Sequence, residues 1–152
     1  MNAIKLLIAD HKEVERMFKE SETAGRAAKR DLFLLIKEAL EAHAWIEETI
    51  FYPTLQNEFN EELVELSSEA IKEHMDMKCI LGELSVLPPS SSTFDPLLAK
   101  LIEDVRHHVK EEEGEMFPAV QKALSSDALD TLGAAMEAEK KRFQSSAETI
   151  YG

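Results

Sequence analysis

Cysteine, glycine, proline and long apolar runs are all scarce in this sequence of 152 residues. A single cysteine, Cys79, excludes an internal disulfide bond, and we expect its thiol to be a small buried apolar group. Five glycines and five prolines favour helices over a turn-rich β fold. Apolar runs nowhere approach the roughly 18 residues that a membrane span needs. The sequence therefore predicts a helical protein that does not cross a membrane.

Positive charge is also scarce, because 17 Lys and Arg residues stand against 30 Asp and Glu residues, a net charge of −13. Nucleic acid and anionic membranes attract basic surfaces, so we expect neither as a partner. The N-terminal apolar stretch 1–9 is too short for a secretory signal and lacks its cleavage pattern. We therefore expect a cytoplasmic protein.

Apolar residues recur at helical spacing along nearly the whole chain, which predicts five amphipathic helices. Four long helices with short links indicate an up-down-up-down bundle, followed by an additional C-terminal helix that begins at Ser126 or Asp127. Pro88, Pro89 and the serines after them form the clearest loop. We expect a single domain, 1–152, with a bundle over about 3–124 and the last helix over about 127–150. The predicted helices cover about 2–21, 28–56, 61–87, 94–124 and 127–150.

The chain contains one internal repeat. Segment 43–53 aligns with segment 108–118, and His, the Glu four residues later, the next Glu and the final Pro coincide. Segment 10–14 aligns with segment 73–77, where an acid followed by His coincides. The first and second helices therefore match the third and fourth, and we predict a pseudo-two-fold axis through the bundle. Pro53 and Pro118 each remove a backbone donor, so we expect the helix to kink or tighten there.

Four histidines lie on the apolar stripes, one on each of the first four helices, and two glutamates follow a histidine at i+4 on the same face. A carboxylate in an apolar core costs several kcal/mol, so two of them need a counter-charge. Bound cations are the natural answer, and imidazole with carboxylate suits iron, with Mn or Zn as possible substitutes. The six candidate metal ligands are His11, His43, Glu47, His74, His108 and Glu112.

The residues close to these six are expected to have other roles. One inward His is more often a core residue than a ligand, but four His and two Glu arranged by an internal repeat are hard to explain as packing. His107 lies about 100° around its helix from His108, so we expect it at the surface. Glu48 and Glu113 are displaced from the ligand face, and we expect them to form salt bridges or to support the ligands. Aromatic and Met residues near the centre, such as Tyr52, Trp45 and Met116, are usually core.

These residues resemble the hemerythrin-like (HHE cation-binding) family over about residues 3–124. The phrases Glu-Glu-Thr-Ile-Phe-Tyr-Pro and Glu-Glu-Gly-Glu-Met-Phe-Pro also look like the family's ends of the second and fourth helices. The resemblance implies a non-haem di-iron centre, bridged by the two glutamates and an oxo or hydroxo group. The matching residues are His11, His43-x-x-x-Glu47, His74 and His108-x-x-x-Glu112.

Two departures argue against simple oxygen carriage. Oxygen-carrying hemerythrins have a second His at i+4 on the third helix, where this chain has Lys78, and they end with His-x-x-x-x-Asp, where this chain has His-x-x-x-Glu. The ligand set is closer to the metal domain of repair-of-iron-centres proteins, which also carry a cysteine-containing N-terminal domain, and we expect no such domain here. In the repeat Lys78 matches Glu15, and we expect these two side chains to approach each other near the axis.

The repeat allows two pairings of the histidines. We favour His11 with His108 and His43 with His74, although His11 with His43 is equally symmetric. Either pairing gives each iron two histidines and both glutamates, with one place left for a bridging oxygen and one for an exchangeable ligand.

We therefore expect a di-iron protein that reacts with O2, NO or peroxide, or that handles iron, and the sequence leaves catalytic turnover open. The alternatives are a metal- or redox-sensing module that signals to a partner protein, a reversible oxygen carrier, and a purely structural bundle. The expected ligand is a small diatomic molecule or peroxide. The oligomeric state is left open.

Overall fold

Helices account for all the regular secondary structure in the part of the chain that the computed structural model describes, residues 1–88 and 90–151. Two π-helical segments join short helices to longer ones, so α2 runs on into α3 and α5 runs on into α6. Five helical rods therefore pack as a four-helix bundle with an added C-terminal helix, as predicted. The elements are α1 (Ala3–Thr23), α2 (Arg26–Ile46), a first π segment (Glu47–Phe51), α3 (Tyr52–Gln56), α4 (Glu61–Val86), α5 (Phe94–Glu111), a second π segment (Glu112–Met116), α6 (Phe117–Ala123) and α7 (Ser126–Tyr151).

Short polar side chains begin several of these helices. The side chain of Asn2 accepts a hydrogen bond from the backbone N–H of Lys5 at the start of α1 (2.9 Å), and Asn60 accepts one from Leu63 at the start of α4 (3.2 Å). Such caps satisfy backbone donors that the first turn leaves free. At α7 the capping hydroxyl belongs to Ser125, one residue before the start that the sequence predicts. Pro89, in the predicted loop, lies outside the described residues.

The apolar core lies in two clusters, one toward each end of the bundle, with a layer of buried polar residues between them. One cluster contains Phe18, Phe33 and Leu84, and the other contains Leu7 and Phe51. Each such side chain contributes about 1.5–3 kcal/mol by leaving water. Two apolar ends therefore hold the four helices in register around the polar layer.

Helix α7 covers only one side of the bundle, where it packs against α1 and α2 through Leu129, Leu132 and Met136. The contact is close, because a Cβ atom at Gly133 would lie 2.2 Å from the carbonyl oxygen of Met1. A larger residue at this position would push α7 away from the start of α1.

The helices widen before each of the two prolines, where the sequence predicts a kink or a tightening. The N–H of Tyr52 bonds to the carbonyl of Glu47, and the N–H of Phe117 bonds to the carbonyl of Glu112, each spanning five residues. A proline ring clashes with the carbonyl four residues before it, and one extra residue in the turn relieves that clash. The two π segments occupy equivalent positions in the repeat, and each begins at a predicted metal ligand.

Cys79 is exposed, so the expectation of a buried thiol is wrong. It lies five residues after His74 on α4, which places it about 140° around the helix from that inward face. None of the described helices combines the length and the apolar character that a membrane span needs.

Candidate metal centre

Four histidines and two glutamates meet in the polar layer between the two apolar clusters. None of the six is more than 8% exposed, and the two glutamates are at most 1% exposed. Each histidine comes from a different long helix, and each glutamate begins a π segment. The structure therefore brings together all the residues that the sequence selects: His11, His43, Glu47, His74, His108 and Glu112.

The histidines form two pairs, one within each half of the repeat. The ring centres are 4.9 Å apart in one pair and 4.8 Å apart in the other. Helices that follow each other along the chain are neighbours, so each pair comes from one helical hairpin. The favoured pairing of His11 with His108 is therefore wrong, and the alternative is observed. In each group the donor atoms lie within 4.8 Å of one another: His11, His43 and Glu112 in the first group, and Glu47, His74 and His108 in the second.

Each glutamate approaches one histidine of each group. Donor atoms that share one metal at about 2.1 Å and a right angle lie about 3 Å apart. The observed spacings fall close to that value, so the two groups are joined by two carboxylates. The contacts to histidine Nε2 atoms are Glu47 to His43 (3.1 Å) and His74 (3.2 Å), and Glu112 to His11 (3.2 Å) and His108 (3.5 Å).

Several buried donor atoms here have no hydrogen-bond partner. A buried polar atom without a partner costs about 1–3 kcal/mol, so a concentration of them at one place needs an explanation. Close approach without hydrogen-bond geometry is typical of side chains that share a metal ion. The donor set therefore fits a binuclear metal site. The unpartnered atoms are both carboxylate oxygens of Glu47, Oε1 of Glu112 and the Nε2 atoms of His11 and His43.

A second layer of carboxylates holds the outer nitrogen of each of the four buried histidines. With Nδ1–H donated outward, the Nε2 lone pair faces the centre, as metal-bound imidazoles require. Glu48 and Glu113 support the histidines in this way, as predicted. Asp10 and Glu73 do the same, but the sequence analysis did not identify them as supporting residues. Their signal in the sequence is the acid that precedes His in both copies of the repeat. The contacts to Nδ1 are Glu113 with His11 (2.7 Å), Asp10 with His43 (2.9 Å), Glu48 with His74 (2.8 Å) and Glu73 with His108 (2.7 Å).

The expected approach of Lys78 to Glu15 is wrong. Lys78 pairs with Glu48, the carboxylate behind His74, and Glu15 pairs with Arg106 (2.9 Å). The repeat relates Glu15 to Lys78 by sequence position, but both side chains are long and each reaches a neighbouring helix instead. Lys78 therefore supports the carboxylate behind His74, and it also lines the cavity beside the histidines.

Helix α7 reaches the same outer layer. Lys140 bonds to Asp10 (2.6 Å), whose other oxygen accepts from His43. Nearby, Trp45 donates to Glu139 (2.7 Å) and its ring stacks on Phe143. Trp45 therefore anchors α7 and does not contact the centre.

His107 is a surface residue, as predicted. Its side chain is 66% exposed and lies 3.0 Å from Glu111 at i+4. Its neighbour His108 is the inward one, which confirms the register that the repeat selects.

Electrostatics show how the buried charges balance without a metal. Burial opposes a charge on His43, but the nearby charge of Glu47 raises the pKa of this imidazole to about 10. Burial also opposes a charge on His108, yet hydrogen bonds with Glu112 and Glu73 raise its pKa to about 11. Burial alone would raise the pKa of Glu47, but His43 holds that pKa well below its usual range. In the metal-free protein, protons on histidines therefore neutralise the buried glutamates.

A small apolar cavity adjoins the four histidines. Its volume is about 50 Å³, and its walls include Val14, Leu40, Met77, Leu81 and Val105. A cavity needs roughly 10–15 Å³ to hold one water-sized molecule, so this one has room for a diatomic molecule.

Tyr52 is a contact of the centre that the sequence interpretation treated as core. Its hydroxyl donates to Glu112 (2.5 Å) and lies 3.3 Å from His74 Nε2 and 3.4 Å from His108 Nε2. Burial and the two glutamates raise the pKa of this phenol well above its usual value. The repeat places Phe117 at the equivalent position of the other half. The hydroxyl group that only Tyr52 carries was therefore the sequence signal that could have identified this contact. Met116 does belong to the core.

Comparisons with known proteins agree with this arrangement. A model of the hemerythrin HHE cation binding domain family matches residues 2–120. A protein of Nostoc sp. named DNA nickase is 28% identical over 145 residues, which cover 95% of this chain and 40% of that protein. An uncharacterised hemerythrin-like protein of Schizosaccharomyces pombe is 29% identical over 102 residues, covering 67% of this chain and 50% of that one. The chain thus spans half or less of the length of these curated relatives.

One solved structure has the same fold. The crystal structure of a hemerythrin HHE cation binding domain-containing protein from Mycobacterium kansasii superposes with a TM-score of 0.85 at 24% identity. The match covers 98% of this chain and 91% of that one, so α7 is included in the shared fold.

Proposed function

This chain belongs to the hemerythrin HHE cation-binding domain family, and we propose that it is a non-haem di-iron protein whose centre reacts with O2, NO or peroxide. The observation that carries the proposal is the pair of buried His/Glu groups, joined by two glutamates that each approach both groups. The ligands in this proposal are His11, His43, Glu47, His74, His108 and Glu112.

Charge and donor type favour iron in the +2 or +3 state. Two divalent ions bring +4, the two glutamates bring −2, and neutral imidazoles bring none, so a bridging oxide would complete the balance and a bridging hydroxide would leave one positive charge. Imidazole and carboxylate together suit iron, while Mn and Zn can use the same donors. When bound, iron supplies the one-electron redox chemistry that the side chains themselves lack.

The surroundings favour reaction with a small molecule. Two histidines and both glutamates give each metal four protein donors, fewer than the six of an octahedral ion. The adjoining cavity is mostly apolar and small, which suits a diatomic molecule or peroxide. Lys78, which occupies the place of an additional histidine in oxygen carriers, binds Glu48 on the outside. A lysine in place of that histidine favours a reactive centre over reversible oxygen carriage.

The ligand set and one relative suggest finer possibilities. The ligand set resembles that of repair-of-iron-centres proteins, so handling of iron is the variant of this proposal that keeps the same site. The Nostoc relative is named for DNA nicking, but this chain covers only 40% of that protein and carries a net charge of −13. Because such a charge repels DNA, we do not extend nicking to this chain.

A metal-sensing module is the second candidate, and one contact favours it. Lys140 on α7 bonds to Asp10, and Asp10 bonds to His43, so a change at this histidine reaches the C-terminal helix through two contacts. In that case α7 would alter its packing with metal state and so change binding to a partner protein.

Metal content, joined to spectroscopy of the reduced protein, tests the proposal. We expect about two iron atoms per chain after iron loading, and oxidation of the reduced centre in stopped-flow mixing with O2, NO or peroxide. Repeated reversible binding of O2 without oxidation would assign the protein to the carriers. One tightly bound zinc with no second metal would exclude the di-iron centre. Binding of a partner only to the metal-loaded form would favour the sensing module.

A further inference from the structure

A groove of about 700 Å³ runs along the outside of the bundle, in the seam between α1 and α5. Its inner wall consists of buried or half-buried side chains. Four of them are apolar, and the fifth, His11, is a candidate metal ligand that is only 7% exposed. Small-molecule sites measure about 300–1,000 Å³ and are lined mainly by apolar groups, so the groove has the size and the wall of such a site. The apolar residues of this wall are Val14, Phe18, Val105 and Val109.

Positive charge is concentrated around this groove, although the protein as a whole carries a net charge of −13. The lining includes five of the 17 Lys and Arg residues of the chain and two acids, Glu15 and Glu113. Both acids are already engaged, since Glu15 pairs with Arg106 and Glu113 with His11. The groove therefore has an excess of cations. These are Lys12, Arg16, Lys19, Arg106 and Lys110.

Three of these five cations are unpaired. Arg16 and Arg106 are each held by two glutamates. Within residues 1–88 and 90–151, by contrast, Lys12, Lys19 and Lys110 form no ion pair, and all three are exposed. Unpaired ammonium groups around an apolar wall attract a ligand that combines an anionic group with an apolar body.

The internal repeat provides a comparison within the same molecule. The seam between α2 and α4 is the equivalent of the seam between α1 and α5, and none of the five cations has a basic counterpart there. Lys78 lies on that second seam, but it is paired with Glu48. The cationic groove therefore belongs to one half of the repeat and does not follow from the packing that both halves share. In the order of the five cations, the counterparts are Met75, Cys79, Gly82, Glu41 and Trp45.

We propose that this groove binds reduced flavin mononucleotide, which supplies electrons to the metal centre. The apolar wall contacts the flat ring of the flavin, and the unpaired lysines bind its phosphate. Binding depends only on the groove, whereas the role as electron donor rests on the proposed di-iron function.

Access and charge favour a small donor at this place. The cavity beside the histidines measures about 50 Å³ and cannot admit a flavin, so electrons must arrive from outside, and the groove reaches His11 directly. An acidic electron-transfer protein is repelled by a net charge of −13, whereas one phosphate of about −2 responds mainly to the lysines beside it.

The number of electrons also fits a flavin. The reduced flavin becomes the oxidised flavin by giving up two electrons and two protons. The two electrons reduce two ferric ions to two ferrous ions, and the two protons pass to solvent. One flavin therefore reduces one oxidised centre completely.

Titration of oxidised flavin mononucleotide with the zinc-loaded protein, followed by quenching of flavin fluorescence, tests binding without iron. We expect one flavin per chain, and riboflavin, which has the same ring without the phosphate, should bind at least about tenfold more weakly. The double variant Lys12→Gln with Lys110→Gln should weaken binding of the mononucleotide about tenfold and leave riboflavin unchanged, because it removes charge alone. Lys100→Gln is the matched control, since this exposed lysine lies on α5 outside the groove and pairs with Asp104.

Anaerobic stopped-flow mixing of reduced flavin mononucleotide with the oxidised, iron-loaded protein tests the role of the flavin. The rate of iron reduction should saturate with flavin concentration. The same double variant should need about tenfold more flavin for half of the maximal rate and should keep that maximal rate, because the lysines act on binding.

Several results would overturn the inference. Equal affinity for flavin mononucleotide and riboflavin, or a loss in Lys100→Gln as large as in the double variant, would exclude the phosphate site. Inorganic phosphate that binds as tightly as the mononucleotide would show a site for the anion alone. Reduction by a ferredoxin at a rate that depends on Lys12 and Lys110, with no flavin bound, would assign the groove to a protein partner. A chain that binds flavin but holds no iron would defeat the di-iron proposal and the donor role, and would leave the groove confirmed as a flavin site.

Discussion

Loading the metal-free protein with Zn²⁺ at pH 8 should release at least two protons per chain. The pKa of His43 is raised to about 10 and that of His108 to about 11, because nearby glutamates outweigh the effect of burial. At pH 8 each imidazole is then about 99% protonated or more. A histidine can bind metal only when neutral, so both protons must leave. Zn²⁺ is the probe because it uses the same donors without redox chemistry.

The release of two protons determines how steeply the affinity for zinc depends on pH. Below these pKa values, the combined affinity for zinc should rise about 100-fold for each pH unit, or about 2.7 kcal/mol. Calorimetry at pH 8 in two buffers of different ionisation enthalpy measures the protons directly. His107→Ala is the matched control, since this exposed histidine lies beside His108 and should leave the count unchanged. Release of fewer than one proton would refute the charge balance derived for the metal-free centre.

The same shifts and contacts give four further expectations. Raised histidine pKa values stabilise the metal-free protein fully below about pH 6.5. That stabilisation declines as the pH rises and is gone above about 10 to 11, so the melting temperature should fall over this whole interval while the zinc-loaded protein changes less. Glu47→Ala and Glu112→Ala should lower metal content and the stability of the loaded protein to similar degrees, by elemental analysis and thermal melting, and a loss confined to one of them would contradict the bridging roles. His108→Ala should lose metal whereas His107→Ala should keep it, and the reverse result would show a wrong helix register. Glu113→Gln keeps a hydrogen-bond acceptor but removes charge behind a ligand, so zinc affinity should fall by about 10- to 100-fold in a chelator competition, and an unchanged affinity would exclude the supporting role.

The helices and the six convergent residues could be predicted because both depend on local spacing. An apolar period of 3.6 residues defines which face of a helix is inward, and the i+4 spacing puts Glu47 on the same face as His43. The repeat then separates His108 from the adjacent His107, which spacing on a single helix could not do. Helix ends were also predictable within two residues, since Asn2 and Asn60 are good capping residues.

The pairing of the histidines, the partner of Lys78 and the exposure of Cys79 were not predicted correctly. Periodicity gives the inward direction on one helix, but it does not say which helix stands opposite or how far a long side chain reaches. Lys78 could reach any acid on the adjacent rods, and it takes Glu48. The π segments escaped prediction for a related reason, because a missing proline donor can be accommodated by a kink, a tighter turn or a wider one.

The repeat also explains why α7 covers only one half. At the surface of the first half, Leu6, Ile46 and Ile50 form the apolar face that packs with α7. Their equivalents in the second half are the acids Glu69, Glu111 and Glu115, which face solvent or lie partly exposed. A helix with an apolar stripe is stabilised on the first surface and would bury uncompensated charge on the second. The six candidate ligands are thus alike in the two halves while the residues around them differ, so the outer surface of the repeat decides which half α7 covers.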